Sequence, residues 1–280
     1  MSLLSSSELR GRLREIKHVA LDMDGTIYNG STLFPFTISF LENLKKLGIG
    51  YSFLTNNPSK SINDYLMHLK KMGISATREE IYTSALATID YLRTNHPEVN
   101  RLFILGTPSM INEFEDAGFT STRDDANDKP DAIVVGFDKT LVYSRLCRAA
   151  WWISKKILYV ATNPDKVCPT DEPVILVDCG SICSSLEQAT GRHPDIVVGK
   201  PDSRMLDGIL KRHQLHPSQI AMIGDRIYTD LQMAHNAKTL GVLVLTGETS
   251  FEVARQSNLK PDIIADDLAE FGQMFLDAHR

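Results

Sequence analysis

Short apolar runs alternate with amphipathic stretches along nearly the whole chain. Val19, Ala20 and Leu21 form a run that ends abruptly in Asp22, and Ile38, Leu41, Leu44 and Leu47 then repeat at helical spacing before a stop at Gly48. A second apolar run over 50–54 ends in Thr55, and Ile62, Leu66, Leu69 and Met72 follow on one helical face before Gly73. The same alternation predicts strands over 101–105, 132–135 and 157–161, with helices over 85–93, 109–117, 144–155 and 181–190. It then predicts strands over 196–198, 220–223 and 241–245 and a short one at 263, with helices over 204–213 and 230–237 and from 251 and 268. The polar stretch TSTRDDANDK before Pro130 reads as a solvated loop. Alternating strands and helices make an α/β fold, with a parallel sheet covered on both faces and organised as a split domain with an insertion.

In such sheets ligands bind at the carboxyl ends of strands. Four stretches with chemical potential stand there: Asp22 and Asp24, Thr55 with Asn56 and Asn57, Lys200, and Asp225 with Asp230. Two carboxylates about 4 Å apart repel by about 4 kcal/mol at an effective dielectric of 20, so Asp22 and Asp24 call for a cation, with Mg2+ the simplest oxygen-bound candidate. Each stretch also has a plainer reading. Asp-Gly and Gly-Asp make turns, Ser59 caps a helix, Asn57 turns the chain, and a lysine before proline is usually solvated. Their occurrence together, each directly after an apolar strand, favours a site. A carboxylate nucleophile, a second carboxylate, a hydroxyl, a lysine and a further acid are the parts of phosphoryl transfer through an aspartyl-phosphate.

Composition narrows the choice. With 42% hydrophobic and 23% charged residues the 280-residue chain is ordinary globular protein, and a net charge of −5 leaves no basic field for nucleic acid. No apolar run reaches membrane-span length, and Glu8, Arg10, Arg12 and Arg14 occupy the N-terminus where a signal peptide would be apolar, so a cytoplasmic location is expected. The four cysteines show no CxxC pair and read as reduced small hydrophobes rather than zinc ligands.

The stretches DMDGT, TNN, GKP and GDRIYTD resemble the four motifs of the haloacid dehalogenase (HAD) superfamily of phosphotransferases. More narrowly, the chain is similar, over about residues 17–276, to the subclass IIA phosphatases, the 4-nitrophenylphosphatase-like group. VVGFDKTLVYSRLCRA, ATNPD and CGSICSSLEQATGRHPD in the insertion share that similarity. The resemblance implies a three-layer Rossmann-like parallel-sheet core over 1–83 and 196–280 with an inserted α/β cap over 84–195. It implies Asp22 as nucleophile and metal ligand, and Asp24 as acid-base that also gives the metal its backbone carbonyl. Thr55 and Lys200 match the phosphate-binding residues, Asn56 and Asn57 fall in the stretch that contacts phosphate and substrate, and Asp225 matches the third metal ligand with Asp230 in support.

Pyridoxal phosphate phosphatases carry a ligand-touching histidine after ATxP, whereas this chain reads Asn163-Pro164-Asp165-Lys166, which weakens that substrate. Asn163, Asp165 and Lys166 become the candidate specificity residues. The function expected is a Mg2+-dependent phosphomonoester hydrolase acting on a small phosphorylated metabolite, with no nucleic-acid or membrane partner. Homodimerisation through the cap is common in the group resembled. The alternatives are a HAD-type phosphomutase or a weakly catalytic phosphate-binding protein. A dehalogenase would not need Asp24, and a receiver domain would be far shorter.

Overall fold

The computed structural model of the protein describes residues 6–170 and 172–280. These form two compact units: one holds the described chain up to Leu54 with Leu66–Tyr82 and Lys200–Arg280, the other Thr55–Tyr65 and Thr83–Gly199. The loop Thr55–Tyr65 therefore goes with the inserted segment.

The first unit is built outward from β1 (His18–Asp22), in which every residue is buried. An apolar run is required at such a position, because a central parallel strand has no solvent face. Parallel β4 (Gly50–Thr55) lies on one side of it and parallel β13 (Ile220–Gly224) on the other. Adding β14 (Leu240–Val244), β15 (Ile263–Ala265) and β5 (Ile81–Thr83) gives the order β15-β14-β13-β1-β4-β5.

The helices of this unit are α1 (Ser6–Glu15), α2 (Thr37–Lys46), α3 (Ile62–Lys71) from Leu66 on, α8 (Arg204–His213), α9 (Gln232–Ala237), α10 (Phe251–Gln256) and α11 (Leu268–His279). α11 packs against α1 and α2, and α8 packs against α9. On α2 the buried stripe is Phe40, Leu41 and Leu44, whereas Ile38, expected on that stripe, is 42% exposed. α1 places Leu13 in the core, followed by Ile16, so the charged N-terminal stretch is the outer face of a helix. A short hairpin, β2 (Tyr28–Asn29) with β3 (Thr32–Leu33), follows β1.

In the second unit a five-stranded sheet runs β12-β9-β8-β6-β7, with every neighbouring pair parallel. Its strands are β6 (Arg101–Leu105), β7 (Thr120–Ser121), β8 (Ala132–Val135), β9 (Leu158–Ala161) and β12 (Ile196–Val197). They alternate with α4 (Ser84–Asn95), α5 (Pro108–Asp116), α6 (Tyr143–Ser154) and α7 (Cys179–Thr190), and β10 (Val167–Cys168) pairs with β11 (Leu176–Val177) as a hairpin. Phe103, Ile133, Val135, Trp152, Tyr159 and Leu186 share one apolar core. Thr83 and Thr107 cap α4 and α5 through their side-chain oxygens, and Gly191 ends α7 in the left-handed conformation at φ 70°.

The expected helix over 230–237 begins differently. A five-residue π-helical turn, Ile227–Leu231, precedes α9, and Asp230 falls inside it. Among the described residues no helix is long and apolar enough to cross a membrane. The four cysteines are free thiols, with Cys179 and Cys183 buried.

At the start of β1, His18 is 3% exposed, its ring 4.3 Å from that of His213, and its Nε2 shares a 2.9 Å hydrogen bond with Ser52 Oγ. Gly50 leaves room for this ring, since a Cβ there would lie 2.7 Å from His18 Nδ1. Burial, reinforced by the neighbouring His213, lowers the His18 pKa to about 3. The unfolded chain therefore takes up a proton that the folded chain refuses. The contribution to stability is complete above the unfolded value of about 6.5 and is lost as pH falls from there toward 3. We expect His18→Gln, whose amide can still reach Ser52, to lower the urea midpoint at pH 7.5 while flattening the fall between pH 7.5 and 4.5 by about 3 kcal/mol. Equal slopes in parent and variant would remove His18 as the cause.

Candidate active site

β1 and β13 end side by side, with Leu21 the register partner of Ile223. This delivers Asp22 from one strand and, after Gly224, Asp225 from the other. The π turn carries Asp230 back over the same strand end, so close that a Cβ on Gly224 would lie 2.3 Å from Asp230 Cγ. Carboxylate oxygens of Asp22, Asp225 and Asp230 consequently lie within 4.8 Å of one another, all three residues buried. At that separation each charged pair repels by roughly 3.5 kcal/mol at an effective dielectric of 20.

Lys200 offsets part of this. It is 3% exposed, its Nζ donates to Asp230 Oδ1 at 2.7 Å, and it pairs closely with Asp22 Oδ1. Burial alone would discharge Lys200, but Asp22 and Asp230 outweigh burial and raise its pKa. Backbone groups hold two of the remaining oxygens. Glu248 N donates to Asp225 Oδ2 at 2.6 Å and Arg226 N to Asp230 Oδ2 at 3.2 Å. Gly25, at φ +88°, and Gly247 both face Asp225, where an added Cβ would lie 2.6 Å and 2.0 Å from its Oδ2. Thr246 Oγ1 donates to Gly25 O at 2.5 Å and ties the two glycine turns together.

The result is a cluster with excess negative charge. Burial, then Asp22, then Asp230 push the Asp225 carboxyl up to about 7, and burial followed by Asp22 raises Asp230 to about 6 despite Lys200. Asp225 Oδ1 is buried with no hydrogen-bond partner. An orphaned carboxylate oxygen beside two other acids is the donor set of a hard divalent cation, and these residues fit one.

The other candidates have local partners of their own. Asp24 is half-buried in the turn after β1, and its Oδ1 accepts from Gly30 N at 3.4 Å. Thr55 ends β4, and its Oγ1 accepts from Asn57 N at 3.1 Å. Asn57 Oδ1 accepts from Ser59 N at 2.9 Å, the turn role that its residue type suggests. Asn56 Nδ2 donates to Asp165 Oδ2 at 2.9 Å, and both residues belong to the second unit. Asn163 is fully buried and donates to Asp178 Oδ1 at 3.1 Å, while Lys166 is exposed. Thr246, Gly247 and Glu248 are not among the residues that the sequence marks out. They too follow an apolar strand, β14, so the same strand-end rule applies to them, but a loop that acts through its backbone N–H and missing side chains advertises little.

A model of haloacid dehalogenase-like hydrolases matches residues 19–120, and a HAD-hydrolase-like model matches residues 197–271. The chain is similar to the ribonucleotide monophosphatase NagD of Escherichia coli K12, at 30% identity over 91% of this chain and 98% of the relative. It is also similar to the solved 4-nitrophenylphosphatase of Thermotoga maritima, with a TM-score of 0.88 and 37% identity, covering 94% of this chain and 98% of that one. A third similar protein is the glycerol phosphate phosphatase of Mycobacterium tuberculosis solved with magnesium, at TM-score 0.85 and 30% identity, covering 93% of this chain and 78% of that one. That enzyme has also been solved with calcium.

The raised Asp225 pKa has a consequence for the metal-free protein. The folded state keeps a proton there that the unfolded state releases, so this contribution to stability is complete below the unfolded carboxylate range and is lost as pH rises through about 7. Asp225→Asn should therefore stabilise the protein in chelator at pH 8, on the order of 2–4 kcal/mol, with the gain vanishing near pH 4. Urea unfolding of parent and variant at both pH values checks this, and an identical difference at the two would count against the repulsion.

Proposed function

We infer, for a chain that belongs to the haloacid dehalogenase-like hydrolases and is a phosphatase among them, a Mg2+-dependent phosphomonoester hydrolase that works through an aspartyl-phosphate on Asp22. The observation that carries this reading is the buried cluster of Asp22, Asp225 and Asp230, only partly neutralised by Lys200. Such a cluster is costly unless a cation and a phosphoryl group use it.

In the mechanism a carboxylate oxygen of Asp22 attacks phosphorus and the ester P–O bond breaks. Asp24 gives its proton to the departing oxygen, which leaves as an alcohol. Water then attacks the phospho-aspartate, Asp24 takes a proton from that water, and the bond between phosphorus and Asp22 breaks to release phosphate. Lys200, held cationic by its two carboxylate neighbours, keeps Asp22 oriented and offers charge to the phosphoryl oxygens. The Thr55 hydroxyl supplies a further hydrogen bond to the phosphate. Magnesium, held by Asp22, Asp225 and the Asp24 carbonyl with Asp230 in support, would cancel carboxylate charge and polarise the phosphoryl oxygens.

The inserted α/β unit is the part that selects the substrate, a small phosphorylated metabolite, with Lys166 an exposed charge directly after its ATNPD stretch. The relatives named above act on ribonucleotide monophosphates and glycerol phosphate, so a panel of nucleotide, sugar and short-chain phosphates is the right first survey. Phosphate release with magnesium, abolished by chelator, is the expected result. No release from folded, metal-loaded protein would sink the reading.

Two variants test the assigned roles. Asp22→Asn should abolish turnover, by more than about a thousandfold, without altering the circular dichroism spectrum. Asp24→Asn should slow alkyl phosphates more than 4-nitrophenyl phosphate, whose leaving group scarcely needs a proton. Equal losses on both would remove Asp24 as the acid.

A further inference from the structure

Three stretches that stand far apart in the sequence meet at Asn56. Its Nδ2 donates to Asp165 Oδ2, its backbone carbonyl accepts from Ser84 Oγ at 2.7 Å, and its Oδ1 would lie 2.7 Å from a Cβ built on Gly199. Asn56 is 8% exposed. The loop around it is equally well held: Tyr65 OH donates to Asn57 O and Thr107 Oγ1 to Ser59 O, both at 2.8 Å.

Asp165 is in turn fixed from behind. Asn163 Nδ2 donates to Asp178 Oδ1 at 3.1 Å and reaches Asp165 Oδ2 at 3.4 Å, while Thr162 Oγ1 donates to Asn163 Oδ1 at 2.8 Å. The two carboxylates only accept, so they leave one orientation of the Asn163 amide, with its N–H groups turned toward them and its Oδ1 toward the Thr162 hydroxyl. Asp178 caps α7 by accepting from Cys179 N at 2.5 Å. An unbroken chain of hydrogen bonds thus runs from the N-terminus of α7 through Asp178, Asn163 and Asp165 to Asn56, all within the second unit.

We propose that Asp165, backed by Asn163, is a positioning residue for the phosphate-binding loop, setting the Asn56 side chain and through it the backbone that presents Thr55, rather than a residue that recognises the substrate's leaving group. The proposal rests on the phosphatase reading given above. Gly199 fits this role, because any side chain there would also strike Thr162 O, at 2.6 Å, and push Asn56 off its seat. A positioning residue acts on what all substrates share, the phosphate. A specificity residue acts on what distinguishes them.

The test measures KM and kcat on several phosphate esters, and inhibition by inorganic phosphate, for the parent, Asp165→Ala, Asp165→Asn and Asn56→Ala. For Asp165→Ala we expect KM to rise by about tenfold on every ester, the phosphate inhibition constant to rise in parallel, and the rank order of substrates to stay as in the parent. Asp165→Asn, which keeps an acceptor for Asn56, should recover part of the loss, and the Asp165→Ala, Asn56→Ala pair should be no worse than the worse single change. A changed rank order with unchanged phosphate inhibition would overturn the proposal, as would fully additive losses in the double variant. If Asp165→Ala does not fold, Asp165→Asn and Asn56→Ala carry the same comparison. Parent turnover is measured first, so failure of the phosphatase reading shows there and failure of this one only in the variants.

Discussion

Everything in the first unit answers to one constraint: three carboxylates must share a buried strand end without forcing the strands apart. The attraction that holds them is Lys200, which bonds Asp230 and pairs with Asp22. A buried ion pair of this kind is a poor source of net stability, since desolvation takes back most of what the Coulomb attraction gives. Asp225 has a backbone N–H from Glu248 and no lysine, and its raised pKa records the imbalance. The cluster is therefore better understood as a preorganised electrostatic device than as a fold stabiliser, with the apolar strands β1, β13 and β14 supplying the rigidity to hold it.

Glycine makes the crowding possible. Gly25, Gly224 and Gly247 each stand where a Cβ would fall within 2.6 Å of a carboxylate atom of Asp225 or Asp230. Their lack of a side chain lets backbone N–H groups approach the acids, which side chains could not do in the same volume. The π turn serves the same end. An ordinary α-helical start would advance the chain by a tighter turn, whereas the wider ring of Ile227–Leu231 carries Asp230 inward beside Gly224.

Much of this could be read from the sequence, and the reason is physical. A central parallel strand has to be apolar on both faces, so Val19 to Leu21 stand out, and the residue that breaks the run marks the ligand-binding end of the sheet. Asp22, Lys200, Asp225 and Asp230 all stand in stretches that follow such strands, and the structure brings these four together. What stayed hidden acts through the backbone or through partners distant in sequence. Glu248 contributes an N–H that every residue type but proline has. Asn56 and Asp165 are 109 residues apart, and nothing local in either stretch announces the bond. Asn163 lies just beyond apolar β9 and is a candidate specificity residue through the loop that differs from the pyridoxal phosphate phosphatases, yet its amide bonds inside the protein. The rule locates such residues without saying which way they face.

The second sheet obeys the same rule for a different purpose. Beyond the carboxyl ends of β6, β8 and β9 lie Thr107, Asp138 and Thr162 to Asp165, again a row of polar groups after apolar strands. Here the row meets a loop of the protein itself: Thr107 and Asp165 bond Ser59 and Asn56, the stretch that follows Thr55. A parallel sheet offers a concave, dipole-rich edge whether or not a ligand fills it, and part of this edge has been given over to holding a loop. That division matters for how such proteins diverge. If the inserted unit both steadies a phosphate loop and selects the ester, mutations that retune selection must spare the residues committed to the loop. Selectivity is then freer to change at exposed positions such as Lys166 than at buried ones such as Asn163.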